Sequence, residues 1–325
     1  MLSFNLKNKK LGIVKKYWIF VIVSAVIILA GLVDMLFVRH MNFGVEFSGG
    51  ISVEVEYEAV DEGALKEAVS GYFKDAGYVV DGEPQKSGAT GQKVLTYRIK
   101  TEVAGDEGSK IDQELAKVLE EKEFEGVTVT SHTIGNDVKN YIVRNAVIAV
   151  AVAVVVILAY IAIRFNLLAG VSAIIALLHD VLIMFALTTL FQIPVNMTFI
   201  AAVITIIGYS INATIVVFDR VRELSVLPSK IENTDAEIAE ESIMGTMSRS
   251  ILTTLTTLVM IVCIAIFGNA SIRDFAFPIM FGLIAGLYSS VLLSASTWVQ
   301  LRKLFKQENK KPVKKIKKIK EQAKA

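Results

Sequence analysis

The stretch FIAAVITIIGYSINATIVVFDRVR, Phe199–Arg222, decides how this chain must fold. Its first part is apolar apart from one threonine, as expected for a helix that crosses a lipid bilayer. Its centre then places Tyr209, Asn212 and Thr214 among hydrophobic residues. A bilayer core offers such side chains no water, so each must contact protein or line a hydrated path. We therefore predict a membrane-spanning helix with a task beyond anchoring.

Apolar runs of this kind recur along the chain. Hydrophobic residues make up 53% of the 325 residues and the mean hydropathy is +0.54, values that exclude an ordinary soluble enzyme. A membrane span takes ~20 predominantly apolar residues. Six runs qualify, at Tyr17–Val38, Tyr141–Ile163, Leu167–Leu190, Pro194–Phe218, Ile251–Phe267 and Phe275–Val299. The predicted fold class is an integral membrane, all-α six-helix bundle.

The distribution of basic residues predicts the orientation, because cytoplasmic loops of membrane proteins carry an excess of Lys and Arg. The N-terminal segment 1–16, the turn with Arg164, the connection 219–250 and the basic tail 301–325 all fall on one side of the predicted spans. We therefore expect both termini in the cytoplasm and residues 39–140 outside. The first span is too long for a signal peptide and is interpreted as a retained anchor. The tail lysines are expected to contact anionic membrane lipids.

The outer segment 39–140 has the pattern of a small α+β domain. Four strands are predicted from alternating apolar and polar residues, at Ile51–Glu58, about Tyr78–Asp81, Lys93–Lys100 and Gly126–Ile134. Two helices are predicted between them, from Asp61 to Gly77 and from Ser109 to Phe124, the second opened by a capping box of Ser109 and Asp112. The order βαββαβ predicts a ferredoxin-like domain inserted between the first and second membrane helices.

The connection 219–250 contains a predicted amphipathic helix. Ile231, Ile238 and Ile243 fall on one side of it, so we expect it to lie on the membrane surface. Arg249 follows, at the mouth of the fifth span, where it either extends to the interface or acts as a counter-ion to a buried acid.

The polar window of the fourth span has one defined face. On a helix, Thr205, Tyr209 and Asn212 lie on the same side, while Ser210 and Thr214 point elsewhere and can bond carbonyls of their own helix. The shared face serves either as interhelical hydrogen bonding, worth ~0.6 kcal/mol per bond in lipid, or as a hydrated pathway for a small cation. The residues alone leave both interpretations open.

The third span carries an acid about halfway along its length, in the segment LLHDVLIM. An ionised carboxylate costs about 3 kcal/mol or more at the centre of a membrane helix, so Asp180 and its neighbour His179 are predicted to belong to an ion pathway. A neutral histidine bonded to a neighbouring helix is the structural alternative. No metal site is predicted, because His40 and His132 belong to the outer domain.

The sixth span carries small residues at steps of four, which permit close helix contact. They are Gly282, Gly286, Ser290 and Ser294. The sequence contains no nucleophile motif, phosphate-binding loop or paired catalytic carboxylates, so no enzymatic activity, catalytic residue, cofactor or nucleic-acid partner is predicted.

Three segments resemble the SecF family, the smaller membrane subunit of the bacterial SecDF protein-export complex. NFGVEFSGG (Asn42–Gly50) resembles the family's G-I-D-F-T-G-G, LLHDV (Leu177–Val181) its His-Asp motif, and GYSINATIVVFDRVRE (Gly208–Glu223) its most specific segment, G-Y-S-x-N-D-T-I-V-V-x-D-R-x-R-E. The matched motif positions include Glu46, Phe47, Gly49, Gly50, Asp219 and Arg220.

The resemblance implies a subunit of a hetero-oligomer in the bacterial cytoplasmic membrane. Its implied partners are SecD, the SecY channel complex and the unfolded secreted polypeptide. The membrane half is expected to resemble half of an RND-type bundle, completed by SecD, that couples an ion gradient to late-stage pulling of the secreted chain.

Two positions depart from the family pattern. Glu46 replaces an aspartate and keeps the carboxylate, but Ala213 stands where the family usually has the aspartate that couples ion movement. Three explanations are open. SecD supplies the essential acid, which we rank first; Asp180 substitutes; or Tyr209, Asn212 and Thr214 coordinate Na⁺.

Three other functions are weighed against export. An RND-type exporter of small molecules or lipids would need a second six-span half and larger outer domains. A passive scaffold of the translocase would move no ions, and Ala213 strengthens this alternative. An intramembrane hydrolase would need a site that the sequence does not contain.

Overall fold

The computed structural model describes residues 11–80, 84–88, 93–99, 107–227, 230, 233–268 and 270–307. Within them, six helical segments are long and apolar enough to cross a membrane, so the chain is a multi-pass membrane protein. In chain order the elements are α1 (Tyr17–Val33), α2 (Val45–Ser48), β1 (Gly50–Tyr57), α3 (Glu62–Asp75), β2 (Gln85–Gly88), β3 (Lys93–Ile99), α4 (Glu107–Glu121), β4 (Thr128–Ile134), α5 (Asn136–Arg164), α6 (Leu167–Leu190), α7 (Met197–Val226), α8 (Asp235–Phe267), α9 (Ala270–Tyr288) and α10 (Ala295–Leu304).

The sixth membrane segment is not a regular α-helix throughout. A π-helical turn, Ser289–Ser294, joins α9 to α10. A second π-helical turn, Asp34–Val38, extends α1. Such turns insert an extra residue into the helical repeat and often occur at functional sites.

Capping side chains decide where several membrane helices begin. Asn166 accepts a hydrogen bond from the Ala169 amide at the start of α6, and Asn196 accepts one from the Phe199 amide at the start of α7, each at 3.1 Å. Thr234 and Glu237 form a reciprocal capping box at the start of α8. These caps provide partners for backbone amides at the helix N-termini, which would otherwise be unpaired in lipid.

α6, α7 and the last segment form the centre of the bundle. Their most apolar stretches are 50%, 44% and 61% buried, against 17%, 11% and 17% for α1, α5 and α8. Glycines allow close contact: a Cβ on Gly31 of α1 would lie 2.4 Å from the Ala186 Cα of α6, and one on Gly282 would lie 2.4 Å from Ile206 of α7. The predicted packing stripe of the sixth span therefore contacts the fourth span at its glycine end.

The connection predicted over 219–250 is shorter than expected. α7 continues to Val226 and α8 begins at Asp235, so both helices extend well past the predicted ends of their spans. The prediction of a helix lying on the membrane surface is wrong for its described part, because Ile238 and Ile243 are buried in the bundle core. Hydrophobic periodicity alone does not reveal whether an apolar face covers lipid or protein. Ile231 lies outside the described residues.

The first and last described segments of the chain both contact the start of α8. The Glu240 carboxylate of α8 accepts hydrogen bonds from the backbone amides of Ile13 and Val14, each at 3.1 Å, and so caps the helical start of the first span. Arg302 of α10 pairs with the buried Asp235 at 2.9 Å. The basic tail predicted over 301–325 lies outside the described residues from 308 onward.

The segment between α1 and α5 contains one antiparallel sheet of four strands, in the order β2-β3-β1-β4. β1 is central and pairs with both β3 and β4. One face of the sheet packs against α3 and α4 around a core that includes Val53, Tyr97, Phe73 and Leu115. The element order is therefore βαββαβ.

Two local predictions in this segment differ from the structure. Val80 makes only an isolated bridge to Ile99, and the second strand lies instead at Gln85–Gly88. This edge strand is polar, so it lacks the alternation that marks a half-buried strand. α4 begins at Glu107, which places Ser109 in its first turn rather than at a capping box with Asp112. Asp61 does cap α3, by accepting from the Gly63 amide.

Candidate functional site

Asp180 lies at the centre of the bundle with none of its surface exposed. Its Oδ2 accepts hydrogen bonds from the hydroxyls of Ser210 on α7 and of Ser289, the latter at 2.8 Å. Its Oδ1 lies 2.9 Å from Nδ1 of His179. Both carboxylate oxygens are therefore satisfied by protein groups, as burial in a membrane requires.

His179 connects this acid to the first membrane helix. Its Nε2 lies 2.8 Å from the hydroxyl of Ser24, which is buried in α1. Its ring stacks on Tyr288 of α9 with 5.8 Å between centroids and 16° between planes. The Tyr288 hydroxyl donates to the carbonyl of Phe20 at 2.8 Å. Side chains from α1, α6, α7 and the last segment thus form one hydrogen-bonded cluster around Asp180, which we call the Asp180 cluster.

The π-helical turn contributes Ser289 to this cluster. Ser289 lies at its first position, immediately after α9 ends at Tyr288. Gly286, one turn earlier, lies against Ser210, since a Cβ added there would be in van der Waals contact at 3.4 Å from the Ser210 Cβ. Ser290 and Ser294, predicted as part of the packing stripe, are fully buried and donate to carbonyls of their own helix.

The polar side of α7 faces in a different direction from the one predicted. Ser210 and Thr214, at 1% exposure each, point into the bundle, whereas Thr205 and Asn212 are exposed. The expectation that Thr205, Tyr209 and Asn212 share a protein-facing side is therefore wrong within this chain. Helical spacing fixed which residues share a face, but which face points inward depends on packing against α6 and α9.

Two further residues predicted for the ion pathway lie apart from Asp180. Tyr209 is half-buried and donates to Thr254 of α8 at 3.1 Å. Arg249 is exposed and is not among the groups that contact Asp180, so the counter-ion interpretation is wrong for this arrangement. Thr214 is buried while Asn212 is exposed, so Tyr209, Asn212 and Thr214 do not converge as a Na⁺ ligand set. Over the described ranges, no three His, Cys, Asp or Glu side chains cluster as a metal site would require.

The motif segment around Glu46 joins the sheet to the bundle. Gly49 and Gly50 have φ values of +75° and +109°, a region that side chains other than glycine rarely adopt, and they turn the chain from α2 into β1. Phe47 packs against a core cluster of the bundle that includes Phe199 and Leu283. The Glu46 carboxylate folds back towards Gly44, where an added Cβ would lie 2.5 Å from its Oε2.

This segment is bonded directly to the turn between α6 and α7. The Gly44 amide donates to the Val195 carbonyl at 2.8 Å, and the Val195 amide donates to the Asn42 carbonyl at 2.7 Å. The Asn42 side chain donates to the Gln192 carbonyl at 2.8 Å. The segment that leads into β1 and the α6–α7 turn are therefore joined by both backbone and side-chain hydrogen bonds.

Three acids of the helical segments take part in ion pairs. Asp219 on α7 pairs with Arg164 at the end of α5, and the neighbouring Arg220 pairs with Glu223 at 2.7 Å. Asp34, in the π-helical turn that extends α1, is 6% exposed, and its carboxylate receives two hydrogen bonds from Arg39, at 2.9 and 3.0 Å.

Sequence reasoning identified Asp180 and His179 but missed the groups that bond to them. Ser24 was detectable as the single serine in the apolar run YWIFVIVSAVIILAGLV. Ser289 was not, because its direction depends on the π-helical turn. Ser210 was interpreted as bonding its own helix, although its hydroxyl donates to Asp180.

Two family models match the chain. The model described as protein export membrane protein SecD/SecF, C-terminal, matches residues 114–304, and the SecD/SecF GG motif matches residues 35–59. The chain belongs to the SecD/SecF family. The GG-motif match includes Glu46, Phe47, Gly49 and Gly50, and the longer match contains the Asp180 cluster apart from Ser24.

Several family members align over most of the chain. It is 33% identical over 301 residues to the protein translocase subunit SecF of Acidaminococcus fermentans, covering 92% of this chain and 99% of that one. It is 34% identical to the protein translocase subunit SecDF of Bacillus subtilis, covering 88% of this chain and 37% of that one. The crystal structure of SecDF from Thermus thermophilus, a translocon-associated membrane protein, superposes with a TM-score of 0.73 at 28% identity, covering 91% of this chain and 39% of that one.

Proposed function

We propose that this chain is a protein translocase subunit that assists protein export across the cytoplasmic membrane. The observation that carries the proposal is the family match over residues 114–304, together with full-length similarity to a translocase subunit. The inferred partners are SecD, the SecY channel complex and the unfolded secreted polypeptide. The SecD partner is supported by the SecDF relatives, in which the region similar to this chain is 37–39% of a longer chain.

The proposed orientation has both termini in the cytoplasm and the sheet outside. Lys15 and Lys16 are exposed at the start of the first span, and Arg302 and Lys303 lie at the end of the last. The contacts from Glu240 to Ile13 and Val14 bring these basic ends together at one end of the bundle. Their grouping agrees with the excess of basic residues on the cytoplasmic side of membrane proteins.

We interpret the sheet as a ferredoxin-like domain and the bundle as half of an RND-type assembly. The βαββαβ order and the strand order β2-β3-β1-β4 support the first interpretation. The second is supported by an uncovered face on α7, formed by Ala201, Thr205, Gly208 and Asn212. Polar groups on a membrane helix need protein partners, so this face is expected to contact the SecD half.

The mechanism we favour couples the charge of Asp180 to the position of the sheet. A potential of ~100 mV supplies ~2.3 kcal/mol per elementary charge moved, enough to shift a two-state equilibrium substantially. A change at Asp180 alters the bonds that hold α6 to α7 and to the last segment. The bonds from Asn42 and Gly44 to the α6–α7 turn would carry that change to the outer domain, which grips or releases the secreted chain.

This geometry raises the second explanation for Ala213, in which Asp180 is the titrating acid of this subunit, above the first. Ala213 itself is half-buried on the flank of Tyr209 and contributes no polar group. The chief rival is a passive scaffold, which would need the fold of the Asp180 cluster but not its change of charge.

Depletion of this chain in the native host tests the export proposal. We expect precursors of secreted proteins to accumulate in the cytoplasm, and re-expression of the full chain to clear them. Affinity purification in mild detergent should recover SecD with it. Normal secretion after depletion, at levels of the chain too low to detect, would contradict the proposal.

A further inference from the structure

Asp180 can exchange a proton only through a group that is hydrogen-bonded to it, because none of its own surface is exposed. Three side chains make such bonds, those of Ser210, Ser289 and His179. Ser210 and Ser289 are 1% and 0% exposed, whereas the His179 side chain retains 11% of its surface. A histidine can also bind a proton near neutral pH, which a hydroxyl cannot. Of the three bonded groups, His179 is therefore the one best placed to exchange protons with Asp180.

The imidazole of His179 is held as a bridge. One ring nitrogen faces Asp180 at 2.9 Å and the other faces Ser24 at 2.8 Å. Stacking against Tyr288 fixes the plane of the ring. Ser24 also has a second acceptor, the Phe20 carbonyl at 3.1 Å, so its hydroxyl can turn between donating to the helix and donating to the imidazole.

Ser24 lies near further hydroxyl groups that are located between α1 and the last segment. Tyr17, Phe20 and Ser24 follow steps of three and four residues, so they share a face of α1. The Tyr288 hydroxyl meets this face at the Phe20 carbonyl, and Thr297 of α10 donates to the Tyr17 hydroxyl at 3.4 Å. We call these groups the hydroxyl seam. It lies on the side of Ser24 towards the exposed Lys15 and Lys16, and it is interrupted between the Phe20 carbonyl, which accepts hydrogen bonds but carries no proton, and Tyr17.

We propose that His179 is the residue through which protons reach and leave Asp180, that Ser24 positions it, and that protons enter from the side on which the hydroxyl seam lies. The inference rests on the proposed function in treating Asp180 as a titrating group. It adds the residues that load it and the side from which loading occurs.

The proton balance of the step is simple. A proton delivered to Nε2 by the Ser24 hydroxyl converts the imidazole to imidazolium, and Ser24 regains a proton from a hydronium ion that enters on the side of the seam. The proton on Nδ1 then passes to Oδ1 of Asp180. The products are a neutral imidazole protonated on Nε2 and a neutral carboxylic acid, and unloading reverses both transfers.

The surroundings allow both charge states. The groups that face Asp180 are Ser210 from α7, Ser289 from the π-helical turn and His179 from its own helix, with Ser24 and Tyr288 beyond the imidazole. None of the hydroxyl groups among these carries a charge at neutral pH. Ser289 has an alternative acceptor in the Gly286 carbonyl at 3.3 Å, so it can release the carboxyl once that group is protonated.

Infrared difference spectroscopy of the full chain in lipid nanodiscs tests the proposal. A pH jump should change the intensity of a carboxyl C=O band that is absent in Asp180→Asn. The rate of this intensity change reports proton exchange at Asp180. His179→Gln should slow this exchange on the order of 100-fold, the lower range for loss of a general acid–base group. Ser24→Ala should slow it less, and Ser24→Thr, which keeps the hydroxyl, should restore it.

Thr189→Val is the matched control, because Thr189 is a buried hydroxyl on α6 that donates to the Phe185 carbonyl outside the cluster. It should leave the rate unchanged. Thermal unfolding of each variant separates a lost relay from a lost fold. Wild-type exchange in a folded His179→Gln chain overturns the proposal, as does the absence of any band assignable to Asp180. Either result leaves the export proposal standing, because export is measured separately by precursor accumulation.

Discussion

The Ser289 hydroxyl lies 2.8 Å from Oδ2 of Asp180, so a buried carboxylate joins α6 to the π-helical turn of the last segment. Ser210 adds α7 to the same oxygen. A bilayer core contains no water to replace a lost partner. The packing of these three helical segments therefore depends on the charge and shape of the Asp180 side chain.

Removal of the carboxylate should therefore cost more than neutralising it. Asp180→Ala leaves the hydroxyls and His179 without their acceptor, a penalty of about 1–3 kcal/mol for a buried polar group. Asp180→Asn keeps an acceptor oxygen and should cost less. Thermal unfolding of the purified chain in detergent checks the order, and equal losses for both variants would contradict the role of hydrogen bonding.

Two glycines offer a matched test of helix packing. Gly31→Ala would place a Cβ 2.4 Å from the backbone of Ala186, so α1 and α6 must separate, at a cost of about 1–3 kcal/mol. Gly208→Ala meets nothing within 4 Å and replaces a poor helix former, so it should be neutral or slightly stabilising in the isolated chain. Equal changes in the unfolding midpoints of the two variants would show that the contact between Gly31 and Ala186 does not limit side-chain size.

The uncovered face of α7 should matter for assembly and not for the fold of this chain. Gly208→Leu and Asn212→Leu place bulk on exposed positions. We expect unchanged unfolding midpoints but reduced recovery of SecD in co-purification. Phe267→Leu, at an 82% exposed position on α8, serves as the control. Undiminished SecD recovery from both α7 variants would place the interface elsewhere.

The four-stranded sheet should lose stability in alkali. Burial raises the pKa of Tyr97 to about 12, above the value near 10 that is usual for an exposed tyrosine. The contribution of the neutral phenol is present in full below about pH 10 and is lost as pH rises through about 12. Tyr97→Phe should reduce the increase in protease cleavage of the sheet across this window. The same increase in both chains would assign the alkaline sensitivity to other groups.

The sequence predicted where the helices lie along the chain more accurately than which of their sides are buried. Length and hydropathy are enough to locate an apolar run such as Leu167–Leu190, because the bilayer imposes both. They do not predict which side of α7 is buried, since lipid and protein interiors are similarly apolar. The exposure of Asn212 and the burial of Ser210 could be learned only from packing.

The site was predicted in part for the same reason. Asp180 was identified because an ionised carboxylate in an apolar run has a high free-energy cost in lipid. Ser289 depends on a π-helical turn that no regular spacing predicts, and Ser24 depends on the contact of α1 with α6. Ile238 and Ile243 show the opposite error, in which an amphipathic pattern was assigned to the membrane surface although it is covered by protein.

The response of export to the ion gradient in Asp180→Asn cells is the most direct test of this account. Release of a secreted reporter from spheroplasts of the native host would be measured with the gradient intact and after an ionophore dissipates it. Wild-type cells should release faster with the gradient, while Asp180→Asn cells should release at the dissipated rate under both conditions and still yield SecD on co-purification. An Asp180→Asn strain that gained as much from the gradient as the wild type would contradict the account and leave the scaffold alternative.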